Sequence, residues 1–248
     1  MDRILDALPV VIYLAGIVCE HRWPARRYPE IRWWRVTCVM FSLGCGLVAI
    51  GVRSAMTSLV GDAAPLVDAS RLGAWSIPAG MLALTFATYW MHRALHRFDG
   101  WFRWVHQLHH SAERIDVWGA NFGHPLQVVM QGVLIGLVYQ LGFGLSHTHA
   151  AIITALLVAL NTFEHMNVRT PRWIGYLVQR PESHNIHHQR GVHAHNYCDL
   201  PLWDIVFGTF VNPGVAPPHD RDIGVGYYDS ASTRIAAMLV GRDVTAPR

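Results

Sequence analysis

The stretches HQLHH, which begins at His106, and HNIHH, which begins at His184, share the pattern His-x-x-His-His. Imidazole nitrogens bind iron, zinc and copper, and helical residues three or four apart lie on one face. Among 16 histidines in 248 residues, chance would produce roughly 0.07 copies of this pattern. Two copies therefore indicate a metal site, and the spacing predicts two helical segments that each direct three imidazoles to it.

Two further segments carry metal-binding side chains at helical spacing. HRALH places His92 and His96 four residues apart, and NTFEH places Asn161 and His165 four residues apart. One tetrahedral ion needs only four ligands, so nine or ten candidates suit two ions. No thiolate lies near enough in the sequence to favour one metal over another. The nine predicted metal ligands are His92, His96, His106, His109, His110, His165, His184, His187 and His188.

Several other polar residues are candidates for an additional ligand or for a hydrogen bond to a ligand. His124 lies in GHPLQ, while His193 and His195 follow HNIHH, and each could equally be an ordinary loop histidine. A carboxylate that accepts a proton from a ligating imidazole fixes its tautomer, which makes Glu182 and Asp204 candidates too. The additional set is Asn161, His124, His193, His195, Glu182 and Asp204.

The composition predicts that membrane helices position these residues. The sequence is 52% hydrophobic and 15% charged, whereas soluble domains carry about 25% charged residues. A membrane-spanning helix needs about 20 mainly apolar residues. We therefore predict an all-α fold, a multi-pass membrane helical bundle of about five spans, in preference to a soluble bundle of buried helices. The predicted spans are residues 4–20, 36–52, 72–91, 128–145 and 149–163.

Arginine placement predicts the orientation of these spans. Five arginines lie between the first and second spans and four lie in residues 92–127, while residues 53–71 carry one at each end. Arginine-rich segments stay in the cytoplasm. The N-terminus is therefore predicted outside, and a histidine-rich helical cap that holds a dimetal site is predicted inside, with His147 and His149 on the opposite side. The predicted regions are 1–72, N-terminal transmembrane helices with their loops; 73–210, a catalytic domain; and 211–248, a cytoplasmic tail.

Three further features concern location and partners. The 20 basic residues are all arginine, which favours a GC-rich bacterium and so a bacterial inner membrane. The four cysteines form no CxxC pair and are predicted to be free packing thiols. No basic run is long enough for a nucleic-acid groove, so we predict no nucleic-acid partner.

The histidine segments also resemble a known family. HRALH, HQLHH and HNIHH occur together with GHPLQ and NYCDLPLWDIVFGTF. This combination is similar to the fatty acid hydroxylase/sterol desaturase superfamily of integral-membrane di-iron oxygenases, and it covers roughly residues 80 to 210. Two positions depart from the family pattern. Cys198 stands where the family often has glycine, and Asn161 stands where some members have histidine.

The resemblance implies a cofactor, partners and a reaction. The cofactor would be two iron ions, replaceable by zinc in purified protein, that activate O₂ at the cytoplasmic face. The partners would be an electron donor, such as ferredoxin or cytochrome b5 with its reductase, and a lipid of the bilayer, a fatty acyl chain, a sterol or a related molecule. Hydroxylation of a C–H bond is the expected reaction. Lipid desaturation is the alternative, because no residue of the sequence distinguishes the two.

Other functions agree less well with the sequence. A membrane metalloprotease would need His-Glu-x-x-His or its inverse, and a carboxylate-rich di-iron site would need Glu-x-x-His pairs; the sequence has neither. A metal transporter or metal-binding protein is the alternative from another class, but transport needs ionisable residues within the spans. Trp203 and Asp204 are expected to close the cap over the metals, with an electron-donor docking surface as the alternative role.

Overall fold

Helices make up most of the residues that the computed structural model of the chain describes, which are 2–28, 30–61, 63–192, 194–214, 231–242 and 244. These residues contain no β-strand, so the all-α prediction is confirmed. The α-helices are α1 Asp2–Arg22, α2 Trp34–Val60, α3 Ser76–Arg97, α4 Asp99–Trp101, α5 Pro125–Gly136, α6 His147–His165, α7 Pro181–His187, α8 Pro201–Val206 and α9 Ala231–Leu239. Shorter turns lie between them: 3₁₀ turns at Ala69–Arg71, Gly73–Trp75, His109–Ser111, Val117–Asn121 and Arg172–Tyr176, and π turns at Phe102–His106 and Leu137–Gly142.

All five apolar segments of the sequence form helices. Within the described part of the chain, three helices are long and apolar enough to cross a membrane: Ile4–Arg22, Trp34–Val60 and Pro125–Gly142, the last joining α5 to the following π turn. Their large apolar side chains face outward, as lipid-facing side chains do; Leu47 is 72% exposed and Ile50 is 67% exposed. The total of five spans, with α3 and α6 as the other two, stays a prediction.

The long helices alternate in direction, so that the ends of α1, α3 and α6 meet the beginnings of α2 and α5. At this end of the bundle the Glu20 carboxylate of α1 accepts hydrogen bonds from the backbone N–H groups of Val117 (2.9 Å) and Asn167 (2.8 Å). The Trp34 indole at the beginning of α2 donates to Asp116 at 3.0 Å. Each contact joins a helix end to a loop that carries histidines or follows them.

The opposite end of the bundle holds the two histidines that the sequence predicted there. The Ser76 hydroxyl at the beginning of α3 lies 2.7 Å from Nδ1 of His149. Nε2 of His147 lies 3.3 Å from a carboxylate oxygen of Asp6, near the beginning of α1. Both histidines are thus a full helix length away from the other histidine segments.

Apolar contacts connect the helices along their length. Leu84, Tyr139 and Ile153 form one buried cluster between α3, the π turn after α5, and α6. A second buried cluster surrounds Trp34 and Phe122, whose rings meet edge to face at 5.4 Å. All four cysteines are free, as predicted.

The segment that ends the matched sequence pattern packs on α3. The Trp203 indole of α8 donates to the Thr85 hydroxyl at 3.0 Å, and the rings of Tyr89 and Phe207 stack with centroids 5.2 Å apart. The structural role expected for Trp203 is therefore that of an anchor, which holds α8 against α3 beside the histidines of that helix.

Candidate metal centre

The nine histidines predicted as metal ligands gather in two adjacent clusters. Within each cluster one ring nitrogen of every histidine lies within 4.8 Å of the others. Seven of the nine side chains are buried, and the remaining two, His92 and His109, are half-buried. The first cluster contains His92, His96, His106, His110 and His187, and the second contains His109, His165, His184 and His188. Five and four imidazole donors are each enough to hold one metal ion.

The two His-x-x-His-His stretches exchange ligands. HQLHH gives its first and last histidines to the first cluster and its middle histidine to the second. HNIHH does the reverse: its first and last histidines belong to the second cluster and its middle histidine to the first. The clusters meet where the rings of His110 and His188 stack with centroids 4.0 Å apart. The duplicated pattern therefore builds two sites by reciprocal exchange.

The backbone of HQLHH differs from the regular helix that its spacing predicted. A π turn spans Phe102–His106, and a separate 3₁₀ turn spans His109–Ser111. Gln107 and Leu108 between the turns keep right-handed helical dihedrals, so the chain stays helical across HQLHH. Successive residues are about 100° apart around a helix. His106 and His110, four apart, therefore face the first cluster, while His109 faces the second. HNIHH is closer to the prediction, because α7 contains its first two histidines and ends at His187.

Most of the imidazoles are oriented through Nδ1. A carbonyl oxygen can only accept a hydrogen bond, so each ring held by one carries its proton on Nδ1 and presents the lone pair of Nε2. The Nδ1 partners are Tyr197 O for His92 (2.8 Å), Gln127 Oε1 for His106 (2.9 Å), Phe122 O for His109 (3.1 Å), Asn161 O for His165 (2.7 Å) and His195 O for His187 (2.9 Å).

The lone pairs selected in this way face one another. In the first cluster Nε2 of His92 lies 2.8 Å from Nε2 of His106. In the second cluster Nε2 of His109 lies 3.4 Å from Nε2 of His165. Both protons of each pair are already engaged at Nδ1, so no hydrogen bond joins the two nitrogens. A cation among them turns this repulsion into attraction, and the residues present therefore fit a metal ion in each cluster.

Burial keeps the rings neutral, which is the form that binds metals. It lowers the pKa of His109 to about 4. Burial, followed by the neighbouring imidazoles, holds the pKa values of His110, His184 and His188 well below the usual histidine range. Metal binding at neutral pH therefore needs no prior loss of ring protons.

Sequence reasoning missed the residues that support the ligands. Gln127, three residues after His124 in GHPLQ, accepts from His106. The buried Glu164 carboxylate lies 3.6 Å from Nδ1 of His184 and forms hydrogen bonds with Asp199 and Gln179. Its position beside His165 in the sequence was the available signal. Burial raises the pKa of the half-buried Asp199 carboxyl to about 6.

The prediction that Glu182 contacts a ligating imidazole is wrong. Its carboxylate accepts hydrogen bonds from the Thr170 backbone N–H (2.8 Å) and hydroxyl (2.7 Å) and pairs with the Arg180 guanidinium at 3.1 Å. The sequence predicted Glu182 as a partner of an imidazole because it precedes His184 by two residues. On α7, residues two apart point to different sides, and Glu182 stabilises the loop before this helix instead.

His124 also lies outside both clusters. Its Nδ1 caps α5 by accepting from the Leu126 N–H at 3.0 Å, and its Nε2–H donates to the Leu239 carbonyl of α9 at 3.2 Å. Both ring nitrogens are therefore engaged in local structure, and neither is available to a metal.

Asp204 supports the first cluster indirectly, through the backbone at Tyr197. Its oxygens accept from the N–H groups of Tyr197 (2.9 Å) and Cys198 (3.1 Å) and from the Thr209 hydroxyl (2.7 Å). It therefore does not accept a proton from a ligating imidazole, as the sequence had suggested. It fixes the Tyr197 peptide, whose carbonyl in turn orients His92.

The last three candidates act through their backbone or lie elsewhere. Asn161 supplies its carbonyl to His165, and ligation by its side-chain amide stays a prediction. His195 supplies its carbonyl to His187, while its ring belongs to neither cluster. His193 lies outside the described residues.

A small cavity adjoins the second cluster. Its volume is about 10 Å³, which is the space of roughly one water molecule. His109, His165 and His188 line one side of it, and Trp34, Ile115 and Phe122 line the other. We call it the inner cavity. Arg114 and Asp116 also line it, so the wall opposite the histidines is part apolar and part charged.

Known proteins resemble the part of the chain that carries this centre. The fatty acid hydroxylase family profile matches residues 77–209, more than half of the 248 residues. Sphinganine C4-monooxygenase 1 of Arabidopsis thaliana is 24% identical over 135 residues, 53% of this chain and 52% of that protein. Delta(7)-sterol-C5(6)-desaturase of Nicotiana tabacum is 29% identical over 143 residues, 54% of this chain and 48% of that protein. A very-long-chain aldehyde decarbonylase of Oryza sativa subsp. indica is 29% identical over 133 residues, 49% of this chain and 21% of that protein.

These matches cover only part of each relative, and they fall on the part of this chain that carries the histidine clusters. This chain spans about half of the first two relatives' own lengths and about a fifth of the third. No solved structure matches it. Residues 77–209 contain every histidine of both clusters. Together with the three apolar helices, the matched profile identifies a membrane protein of an oxidoreductase family. The histidine segments and the profile match over more than half of its length show that the chain belongs to the fatty acid hydroxylase family.

Proposed function

We propose that the chain is an O₂-dependent di-iron oxygenase that hydroxylates a C–H bond of a membrane lipid. The observation that carries the proposal is the pair of histidine clusters, in which oriented, neutral Nε2 atoms converge on two adjacent centres. Family membership supports the reaction class, because curated relatives are named as a lipid monooxygenase and a sterol desaturase.

Two bound iron ions would supply the activation of O₂ and the oxidation of the C–H bond. The first cluster would hold one ion and the second the other. The protein's own residues keep the rings neutral by burial and aim their Nε2 atoms through fixed Nδ1 hydrogen bonds. Burial of the clusters also excludes bulk water from the reacting centre.

The inner cavity favours the second cluster as the one that faces the lipid. It is lined by three histidines of that cluster, by the apolar side chains of Trp34, Ile115 and Phe122, and by the ion pair of Arg114 and Asp116. The second cluster also has one imidazole fewer than the first. Asn161, whose carbonyl orients His165, is the proposed source of a further ligand there, directly or through water.

Desaturation is the second candidate, and the similarity to a sterol desaturase favours it. The two reactions share the first hydrogen abstraction and differ in whether oxygen or a second hydrogen loss follows. A metal transporter is less consistent with the structure, because the nine histidines form closed clusters at one end of the bundle instead of lining a path along the helices.

The proposed setting is a bacterial inner membrane, with the metal centre on the cytoplasmic face and electrons from a ferredoxin or a cytochrome b5 system. The alternating helix directions are those that five spans would require. The arginine-rich segments at the end of the bundle that holds the clusters support the orientation.

Two measurements test the function. Elemental analysis of freshly prepared, active protein should find two metal ions per chain, and one ion or none would contradict the dimetal centre. Cells with and without the gene, grown under ¹⁸O₂, should differ in a lipid that carries one labelled oxygen. A lipid that loses two hydrogens without label would establish desaturation instead. Unchanged lipids in cells with metal-loaded protein and an electron donor would reject lipid oxidation for the lipids present.

A further inference from the structure

A basic surface groove lies at the same end of the bundle as the histidine clusters. Its volume is about 600 Å³, within the range of roughly 300–1,000 Å³ typical of small-molecule sites. Arg32, Arg35, Arg114 and Glu30 line it. The Arg114 guanidinium is neutralised by the buried Asp116 carboxylate, which leaves two exposed arginines, Arg32 and Arg35, against one carboxylate. This excess of positive charge suits an anionic ligand.

The groove and the inner cavity share two wall residues. Trp34 and Arg114 line both of them, and the Trp34 side chain is only 3% exposed. The Trp34 indole therefore separates the basic groove from the inner cavity, which His109 and His188 of the second cluster line on its far side.

One buried carboxylate holds this indole. Asp116 accepts from Nε1 of Trp34 at 3.0 and 3.1 Å, from Nε of Arg114 at 2.6 Å and from the backbone N–H of Gly119 at 3.0 Å. Gly119 lies so close that a Cβ atom there would meet the Trp34 ring at 2.9 Å. The position of the indole is thus set by the same group that sets the position of Arg114.

The two outer arginines are exposed and held against aromatic rings. The Arg32 guanidinium lies 5.7 Å from the centroid of Trp33, and that of Arg35 lies 5.6 Å from Trp118. Such contacts restrict the side chains while leaving guanidinium N–H groups able to bind a phosphate or carboxylate. Trp33 is 65% exposed, as is typical of tryptophans at the level of lipid head groups.

We propose that the groove binds the anionic head, a phosphate or a carboxylate, of the acyl lipid that the enzyme oxidises. The inference rests on the proposed function and names the substrate class: a lipid with an acidic head and a chain that passes Trp34 to the second cluster. The inner cavity has no room for a chain, so entry of the chain would require the Trp34 ring to leave the position in which Asp116 holds it. The arginines hold the head at the membrane surface and so set which carbon reaches the metals.

Native mass spectrometry of the full-length, metal-loaded protein tests the head-group site. The probes are dioleoylphosphatidic acid and dioleoylglycerol, which share their chains and differ by the phosphate. The wild type should retain the phosphatidic acid preferentially. The double variant Arg32→Gln/Arg35→Gln should weaken its binding roughly tenfold or more, since each arginine near an anionic head contributes about 1 kcal/mol. Dioleoylglycerol binding should not change.

The matched control is Arg53→Gln/Arg71→Gln, which removes two exposed arginines from the opposite end of the bundle. Equal loss of phosphatidic acid in this control, or full retention in the groove variant, would overturn the proposal. A wild type that does not distinguish the two lipids would also overturn it. Inorganic phosphate should not displace the lipid at equal concentration; displacement would identify a free-phosphate site instead of a lipid one.

The two proposals fail in different ways. Loss of the head-group preference with intact ¹⁸O incorporation would reject the groove and leave the oxygenase. Arginine-dependent binding of phosphatidic acid, without any oxidised lipid in cells that supply metal and an electron donor, would support a head-group site and reject the oxygenase.

Discussion

Gln127 offers a test of how the first cluster is oriented, because its side chain contacts one ligand through one hydrogen bond. Oε1 accepts from Nδ1–H of His106 at 2.9 Å, and Nε2 of His106 faces Nε2 of His92 at 2.8 Å. In Gln127→Leu the Nδ1–H would lose its acceptor, at a cost of about 1–3 kcal/mol for a buried donor. The ring would then carry its proton on Nε2 and donate to His92, and in that tautomer Nε2 cannot bind the metal.

The expected result is a 10- to 100-fold loss of affinity for one of two metal ions, about 1.4–2.8 kcal/mol. Chelator competition followed by metal analysis measures it. Gln127→Glu should retain both ions, because it keeps an acceptor at the same position. Gln140→Leu is the matched control: Gln140 donates to Thr57 at the other end of the bundle. If Gln127→Leu binds both ions with wild-type affinity, the tautomer argument for the first cluster is wrong.

Three shorter predictions follow. His110→Ala and His188→Ala should each abolish turnover while the protein stays inserted, whereas His147→Ala, at the opposite end, should leave turnover near normal; an active His188→Ala would contradict the assignment. Asp204→Asn should lower the free energy of unfolding by about 3 kcal/mol, because it disturbs three hydrogen bonds that the carboxylate accepts. Unfolding in denaturant measures this change. If the variant keeps its fold and metal and loses only donor-supported turnover, Asp204 belongs to a docking surface for the electron donor instead. Metal-free protein should lose stability as pH falls from about 6.5 towards 4. The pKa of His109 in the folded protein is lowered to about 4, so the unfolded chain takes up protons at higher pH than the folded chain does. Thermal melts that do not change between pH 7 and 5 would contradict the burial argument.

The ligands could be predicted from the sequence because their spacing is local. Residues three and four apart lie close together on any helical turn, so the histidine boxes were recognisable without knowledge of the fold. The division into two clusters was not predictable. It depends on the packing of α7 beside the HQLHH segment, because in both stretches the two histidines four apart share one cluster and the remaining histidine joins the other.

The supporting residues were harder to predict, because sequence proximity is a poor guide to three-dimensional contact. Glu182 is two residues from His184 but bonds to Thr170 and Arg180. Glu164 is 20 residues from His184 along the chain, yet its carboxylate lies 3.6 Å from that ring. Backbone carbonyls, which orient four of the ligands, leave no mark in the sequence at all.

Because HQLHH and HNIHH each contribute histidines to both clusters, they lead to a prediction that neither stretch would suggest alone. His187 belongs to HNIHH but lies in the first cluster, and His109 belongs to HQLHH but lies in the second. In double-mutant cycles on metal affinity, Gln127→Leu should therefore be non-additive with His187→Ala, since both act on the first cluster. It should be nearly additive with His109→Ala, even though His109 and His106 are three residues apart. If Gln127→Leu is coupled to His109→Ala and not to His187→Ala, then HQLHH and HNIHH each hold a separate ion, and the two clusters are not the units that bind the metals.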